Sequence, residues 1–254
     1  MNSEIAISLK NIYKTFRIRT SGENTIRERI SSLLRLKKQN VQNIVALQNI
    51  NIEIVKGESF GIIGRNGSGK STLLNIMMES ISPDKGGIVN THGRIMRLAL
   101  GLGIDPNLSA RDNIYVNGSI IGLSFKQIGD IFENIIDFSE LHDFIDTPVK
   151  FYSKGMKQRL MFSIAMYADA DIFLLDEFFG GTGDKDFRIK SDNAFNERII
   201  NGKTNIIVSH SMQVIKKHCK RVLWLDKGKI IELGNVNRVT KLYIEDVTKR
   251  LEAK

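Results

Sequence analysis

Gly64-Arg65-Asn66-Gly67-Ser68-Gly69-Lys70-Ser71 matches, at every fixed position, the Gly-x-x-x-x-Gly-Lys-Ser pattern of a phosphate-binding loop. Upstream, residues 59–63 form a short apolar run that reads as a buried strand. Downstream, residues 72–79 carry a helical pattern. A strand entering and a helix leaving is the context this loop needs, and a chance glycine turn lacks it. Glycines let backbone amides turn inward around an anion, and the helix N-terminus adds partial positive charge. Gly64 through Thr72 then wrap the phosphates. Lys70 reaches the β- and γ-phosphates, and the Ser71 hydroxyl completes a Mg²⁺ shell.

Farther along the chain, Ile172-Phe173-Leu174-Leu175-Asp176-Glu177 is an apolar strand that ends in two acids. Beside a phosphate loop, Asp176 is placed to hold Mg²⁺, usually through water. Glu177 is placed as the general base for an attacking water, a role that contributes about 10²–10⁴ in rate. A second apolar strand, Ile206-Ile207-Val208, ends at Ser209-His210, and His210 is the candidate sensor of γ-phosphate. Tyr152-Ser153-Lys154-Gly155-Met156-Lys157-Gln158-Arg159 opens a helix, where Ser153 and the Gly155 amide form a second anion site. One phosphate loop already surrounds the β-phosphate, so this second site makes most sense acting on nucleotide held by a partner copy. An ordinary capped helix is the alternative for this segment, and a structural histidine is the alternative for His210.

The remaining pattern alternates strands and helices. Residues 5–9 and 45–54 read as strands of a small β region. Residues 109–168 read as mostly helical, with Ser109 as a cap, Ser124 starting a second helical pattern and Gly155 opening a third helix over 156–167. Strands are expected at 171–175, 205–208, 221–225 and 229–232, helices at 186–200 and 211–217, and a closing helix from 236. Alternation of this kind implies an α/β fold whose parallel or mixed sheet is covered on both faces. Between the first two strands, residues 25–38 place Ile26, Ile30, Leu33 and Leu34 on one helical stripe among five basic residues. Thr25 and Glu28 have capping-box spacing. A short basic amphipathic helix inserted at about 21–40 is expected.

The chain has 254 residues, 42% of them hydrophobic, and one cysteine, Cys219. That fits one α/β unit with a smaller helical part, and it excludes a disulfide framework. No basic-then-apolar signal opens the sequence, and no run of about 18 apolar residues could span a bilayer. The net charge of +9 sits at the ends: residues 1–42 hold nine Lys/Arg against three acids, and residues 214–254 hold eleven against five. Basic ends admit a nucleic acid, an anionic membrane face or plain solvated surface.

Taken together, the motifs resemble those of the ABC transporter ATPase family, in that family's order and over essentially the whole chain. The resemblance implies a P-loop ATPase with an antiparallel β subdomain (about 1–60), a helical subdomain (about 105–168) and a C-terminal helix (about 236–254), all in one domain. It implies ATP with Mg²⁺ sandwiched between the phosphate loop of one subunit and Ser153, Lys154, Gly155 and Met156 of an identical partner. Hydrolysis would use Glu177 and His210, with metal at Ser71 and Asp176. An early aromatic would stack on adenine, Phe16 by best positional match and Tyr13 next. Asp184 would reach the dimer interface.

The finer resemblance is to ATPases that export bacterial surface polysaccharides, especially lipid-linked O-antigen. It rests on Tyr-Ser-x-Gly-Met at 152–156, Asn107 to Asn113 followed by Tyr115-Val116-Asn117-Gly118, Val208-Ser209-His210-Ser211-Met212, and the insert. It implies a complex of two ATPase subunits with an integral membrane permease on the cytoplasmic face of the inner membrane. No nucleic-acid partner is expected. Capsule or teichoic acid is the alternative cargo, and a soluble ABC protein acting on nucleic acid is the reading from another class. Some such exporters carry a carbohydrate-binding domain after the ATPase, which is expected to be absent here. Three positions depart from the pattern. Leu98-Ala99-Leu100-Gly101 lacks the coupling-loop Gln or Glu, Asp184 lies one residue farther from Glu177 than usual, and Lys154 replaces a small residue.

Overall fold

The computed structural model describes residues 4–19, 41–98, 103–177 and 185–252. The expected helix at 21–40, the Ala99-Leu100-Gly101 stretch and Asp184 lie outside the described residues. Strands β1 (Ile5–Arg19), β2 (Val41–Val55) and β4 (Ile88–Thr91) form an antiparallel sheet in the order β2-β1-β4. Strands β3 (Ser59–Ile63), β5 (Ile95–Leu98), β6 (Ile172–Asp176), β7 (Thr204–Val208), β8 (Arg221–Asp226) and β9 (Lys229–Asn235) form the main sheet, in the order β5-β6-β7-β3-β8-β9. It is parallel from β5 to β8, and β9 returns antiparallel through a hairpin.

Eight-residue α1 (Lys70–Met77) follows β3. The helical layer holds α2 (Ala110–Ile120), α3 (Phe125–Ser139) and α4 (Lys154–Ala165). Helices α5 (Lys185–Phe195), α6 (Met212–His218) and α7 (Val236–Glu252) complete the chain, and α5 runs on through a π-helical turn at Asn196–Ile200.

Period-2 alternation divides the core into two faces. Phe60, Ile62, Leu174, Ile206, Val208, Leu223 and Leu225 pack with α1 and with the antiparallel sheet. Ile63, Phe173, Leu175, Ile207, Val222 and Trp224 pack on the opposite side with Phe162, Phe195, Ile215 and Val239. A third cluster, including Ile114, Ile128, Phe132, Ile135, Ile136 and Leu160, holds the helical layer together. Burying each such large side chain stabilises the fold by about 1.5–3 kcal/mol.

Helices α2 and α3 begin where the sequence places caps. Ser109 and Asp112 form one reciprocal capping box, and Ser124 and Gln127 form another. The two helices cross closely at Gly118, where an added Cβ would lie 2.7 Å from Ile128. Strand β1 is longer than its alternation suggests because register shifts between Leu9 and Ile12, and again before Thr15, break the two-residue period. Asn11 sits there with φ 54°, and its amide donates to Asn51 Oδ1 at 2.9 Å.

Candidate nucleotide site

The loop between β3 and α1 is folded by bonds to its own backbone carbonyls and by a glycine that β8 leaves no room to replace. The Ser68 amide donates to the Arg65 carbonyl at 3.1 Å. Gly64 has φ 153°, and a Cβ there would lie 2.1 Å from the Leu225 carbonyl oxygen, so β8 excludes any side chain. Lys70 starts α1, and its Nζ donates to the carbonyls of Gly64 at 2.7 Å and Arg65 at 3.1 Å. Burial pushes the Lys70 ammonium below its ordinary pKa, and the nearby charges of Glu177 and Asp176 oppose that shift.

The β8–β9 hairpin braces this loop from beneath. Lys227 and Gly228 form its two-residue turn, with φ 46° and 76°, the pair of positive values a type I′ turn requires. The Gly228 amide donates to the Ser68 carbonyl at 2.9 Å, and its own carbonyl accepts from the Gln48 amide at 2.8 Å. The loop is thereby tied to β2 and to the sheet edge.

Alternation in β6 sends Leu174 and Asp176 to the α1 face of the sheet. Asp176 is half-buried, and Glu177, the next residue, is exposed. Glu177 has φ 51°, a left-handed conformation that costs a non-glycine residue about 1–2 kcal/mol. It is held there by its amide, which donates to the Val208 carbonyl at 3.0 Å, and by its carboxylate. Glu177 Oε1 accepts from the His210 amide at 3.1 Å and lies 3.6 Å from His210 Nε2. Backbone strain at a named acid, over-determined by its neighbours, is the pattern found at reactive positions.

Lys70, Ser71, Thr72, Asp176, Glu177 and His210, with the loop residues Asn66 to Gly69, line one cleft of about 470 Å³. That size suits a small-molecule ligand. Ile44 and Val45 of β2 form its other wall. Phe16 pairs across the sheet with Ile44 and is half-buried, whereas Tyr13 is 45% exposed, three residues back along β1. Arg65 faces a neighbouring cavity with Asn66, Gly67 and His210.

The donor set suits a magnesium–triphosphate. Mg²⁺ takes one or two protein oxygens and the rest from phosphates and water, and the Ser71 hydroxyl and Asp176 carboxylate, which line the cleft, would supply that pair. Ser68 Oγ is buried without a hydrogen-bond partner in the same cradle.

Ser153, Lys154, Gly155 and Met156 do not line this cleft. They open α4 at a separate corner, with Ser153 and Lys154 exposed. Ser153 caps the helix, its Oγ accepting from the Met156 amide at 3.2 Å. The preceding Tyr152 is buried and donates to the Phe144 carbonyl at 2.6 Å, which anchors the serine turn on the helical layer.

Sequence reasoning missed Arg97. Strand β5 places it on the α1 face, where Nη2 donates to Asp176 Oδ2 and Nη1 to Asn75 Oδ1 of α1 at 3.2 Å. The available signal was a lone arginine inside the apolar run Ile95-Met96-Arg97-Leu98.

Comparisons with known proteins identify the family and the fold. A family model described as ABC transporter matches residues 47–180. The chain is 40% identical over 248 residues to the O-antigen export system ATP-binding protein RfbB of Myxococcus xanthus, covering 96% of this chain and 56% of that protein. An RfbB of Klebsiella pneumoniae is 40% identical over 200 residues, 78% of this chain and 80% of its own length. The teichoic acids export ATP-binding protein TagH of Lactococcus lactis is 39% identical over 93% of this chain and 50% of that protein. The chain thus spans only about half the length of the Myxococcus and Lactococcus relatives.

The fold matches a dimeric, post-hydrolysis structure of the ATP-binding cassette MJ0796 bound to ADP and Pi. The TM-score is 0.67 at 22% identity, over 91% of this chain and 98% of that one. A family model covering more than half the sequence, drawn over a phosphate loop and a strand-end acid pair that share one cleft, shows that the chain belongs to the ABC transporter family as one of its ATP-binding cassettes.

Proposed function

We propose that the chain binds and hydrolyses ATP with Mg²⁺ as one of two identical subunits, and that this drives export of a lipid-linked surface polysaccharide, O-antigen first among the candidates. The observation that carries the chemistry is the convergence of Lys70, Asp176, Glu177 and His210 on one cleft. Lys70 and the loop amides of Gly64 to Thr72 neutralise and orient the phosphates. Mg²⁺, when bound by Ser71 and Asp176, supplies charge stabilisation to the transferring phosphoryl group. Glu177 accepts the proton of the attacking water, and its φ of 51° aims the carboxylate into the cleft from the end of β6. The His210 amide and ring hold that carboxylate, and the ring contacts the γ-phosphate. Phe16 stacks on adenine, which its pairing with cleft-lining Ile44 supports over Tyr13.

A partner copy closes the site with Ser153, Lys154, Gly155 and Met156. The exposure of Ser153 and Lys154 at a helix N-terminus, away from the chain's own cleft, supports action in trans. Asp184, outside the described residues, belongs to the same interface. Among the described residues no helix is long and apolar enough to cross a membrane. The complex pairs two copies of an integral permease with two of this chain at the cytoplasmic face of the inner membrane, a reading that the export-system names of the relatives support. The basic segment at 21–40 docks on that permease or on lipid headgroups.

The names of the RfbB relatives support O-antigen as cargo, and the similarity to TagH proteins makes teichoic acid the second reading. Glu177→Gln tests the chemistry. ATP binding should persist while phosphate release falls at least 100-fold, and undiminished release would remove Glu177 from the base role.

A further inference from the structure

The proposed reaction leaves unused a charged side chain that binds the site's Asp176 from behind the cleft. Arg97 lies on β5 in register with Leu174 of β6, so alternation turns it to the face that carries Leu174 and Asp176. Its guanidinium binds Asp176 Oδ2 through Nη2 and Asn75 Oδ1 through Nη1, and its Nε is buried without a hydrogen-bond partner. The side chains of Arg97 and Asp176 are only 26% and 18% exposed, so water screens the pair weakly.

We propose that Arg97 is an internal counter-cation to the metal: it holds Asp176 while no metal is bound, yields the carboxylate to magnesium–nucleotide, and so sets the divalent-cation concentration the site requires. This rests on the reading of the cleft as a magnesium–ATP site. A fixed positive charge on the metal-side carboxylate opposes a second cation arriving at it. Asn75, on the helix that leaves the phosphate loop, gives the guanidinium a partner to keep when the carboxylate is drawn away. Arg97 does not itself line the cleft, so it is a positioning residue whose effect runs through Asp176. A purely structural pin that orients Asp176 for the metal predicts the opposite sign on removal.

The experiment uses the full chain carrying Glu177→Gln, which prevents turnover, with trinitrophenyl-ATP fluorescence read in EDTA and across a Mg²⁺ titration. Arg97→Gln should bind the nucleotide in EDTA within about two-fold of its parent. Its half-saturating Mg²⁺ concentration should fall about ten-fold. Arg97→Lys, which keeps the charge, should stay within about two-fold of the parent in both readings. An unchanged or raised Mg²⁺ requirement in Arg97→Gln would overturn the proposal, and so would a fall in Arg97→Lys equal to that of the glutamine. Failure of the parent to bind nucleotide under either condition would remove the ATP site itself, and this inference with it.

Discussion

Cys219 shows at a single residue how burial dictates chemistry. It is 4% exposed on the α6 side of the sheet, and burial, helped by the negative charge of Glu58, pushes its thiol up to about 12. The thiolate is the reactive form, so the native protein has almost none at pH 8. The folded chain should resist a thiol-specific chromogenic disulfide at pH 8 for hours and react at once in denaturing urea. Rapid labelling of the folded form would show that the sheet face opens. Glu177 is the contrasting residue, exposed and conformationally strained where Cys219 is buried and relaxed. Its acidity at a strand end was legible in the sequence. Its positive φ was not, because that depends on the Val208 carbonyl and the His210 amide, 31 and 33 positions along the chain.

Among the elements, the helical layer is held by a short polar staple. Asn113 of α2 is fully buried, and its Nδ2 donates to the carbonyls of Asp105, Leu108 and Ser109 while its Oδ1 accepts from the Asp105 amide at 2.9 Å. Asn113→Ala strands several of these groups, each worth about 1–3 kcal/mol when buried unpaired. Chemical denaturation should show a loss of about 3 kcal/mol, and a change below about 0.5 kcal/mol would mean the staple is redundant.

The β8–β9 turn makes a second prediction. A Cβ at residue 228 would lie 2.5 Å from the Ala46 carbonyl oxygen at φ 76°. Gly228→Val should therefore destabilise the fold by at least about 1 kcal/mol from the left-handed backbone alone. It should also weaken nucleotide binding, since the Ser68 carbonyl loses its brace. Stability and affinity both equal to wild type would contradict the bracing role. The helix starts at Ser109 and Ser124 were readable locally because a capping box is a four-residue pattern, whereas α4 begins at Lys154, earlier than the 156–167 expected, with Ser153 as its cap. Strands β4 and β5 were not readable, since four residues carry too little periodicity to register. Without β5 there was no register to place Arg97 against Asp176.

Over the whole molecule, the sequence spoke clearly wherever function compresses into contiguous residues. Gly64 to Ser71, the Asp176-Glu177 pair and the strand ending at His210 each announced themselves, and the fold brings Asn66 to Ser71, Asp176, Glu177 and His210 to one cleft. The order of the main sheet, β5-β6-β7-β3-β8-β9, was hidden because parallel neighbours are set by long-range packing. What one chain does not do is bring its own Ser153 turn to its own phosphate loop, and on that separation the dimeric account depends.

The most direct test is the mass of the Glu177→Gln chain in saturating magnesium–ATP, measured by light scattering on a sizing column, with and without Ser153→Arg. Twice the 28.7 kDa of one chain is expected for Glu177→Gln alone, and a monomer once the serine turn carries the added arginine. A Glu177→Gln chain that binds ATP yet stays monomeric at every concentration, or a dimer indifferent to Ser153→Arg, would contradict a dimer closed by Ser153.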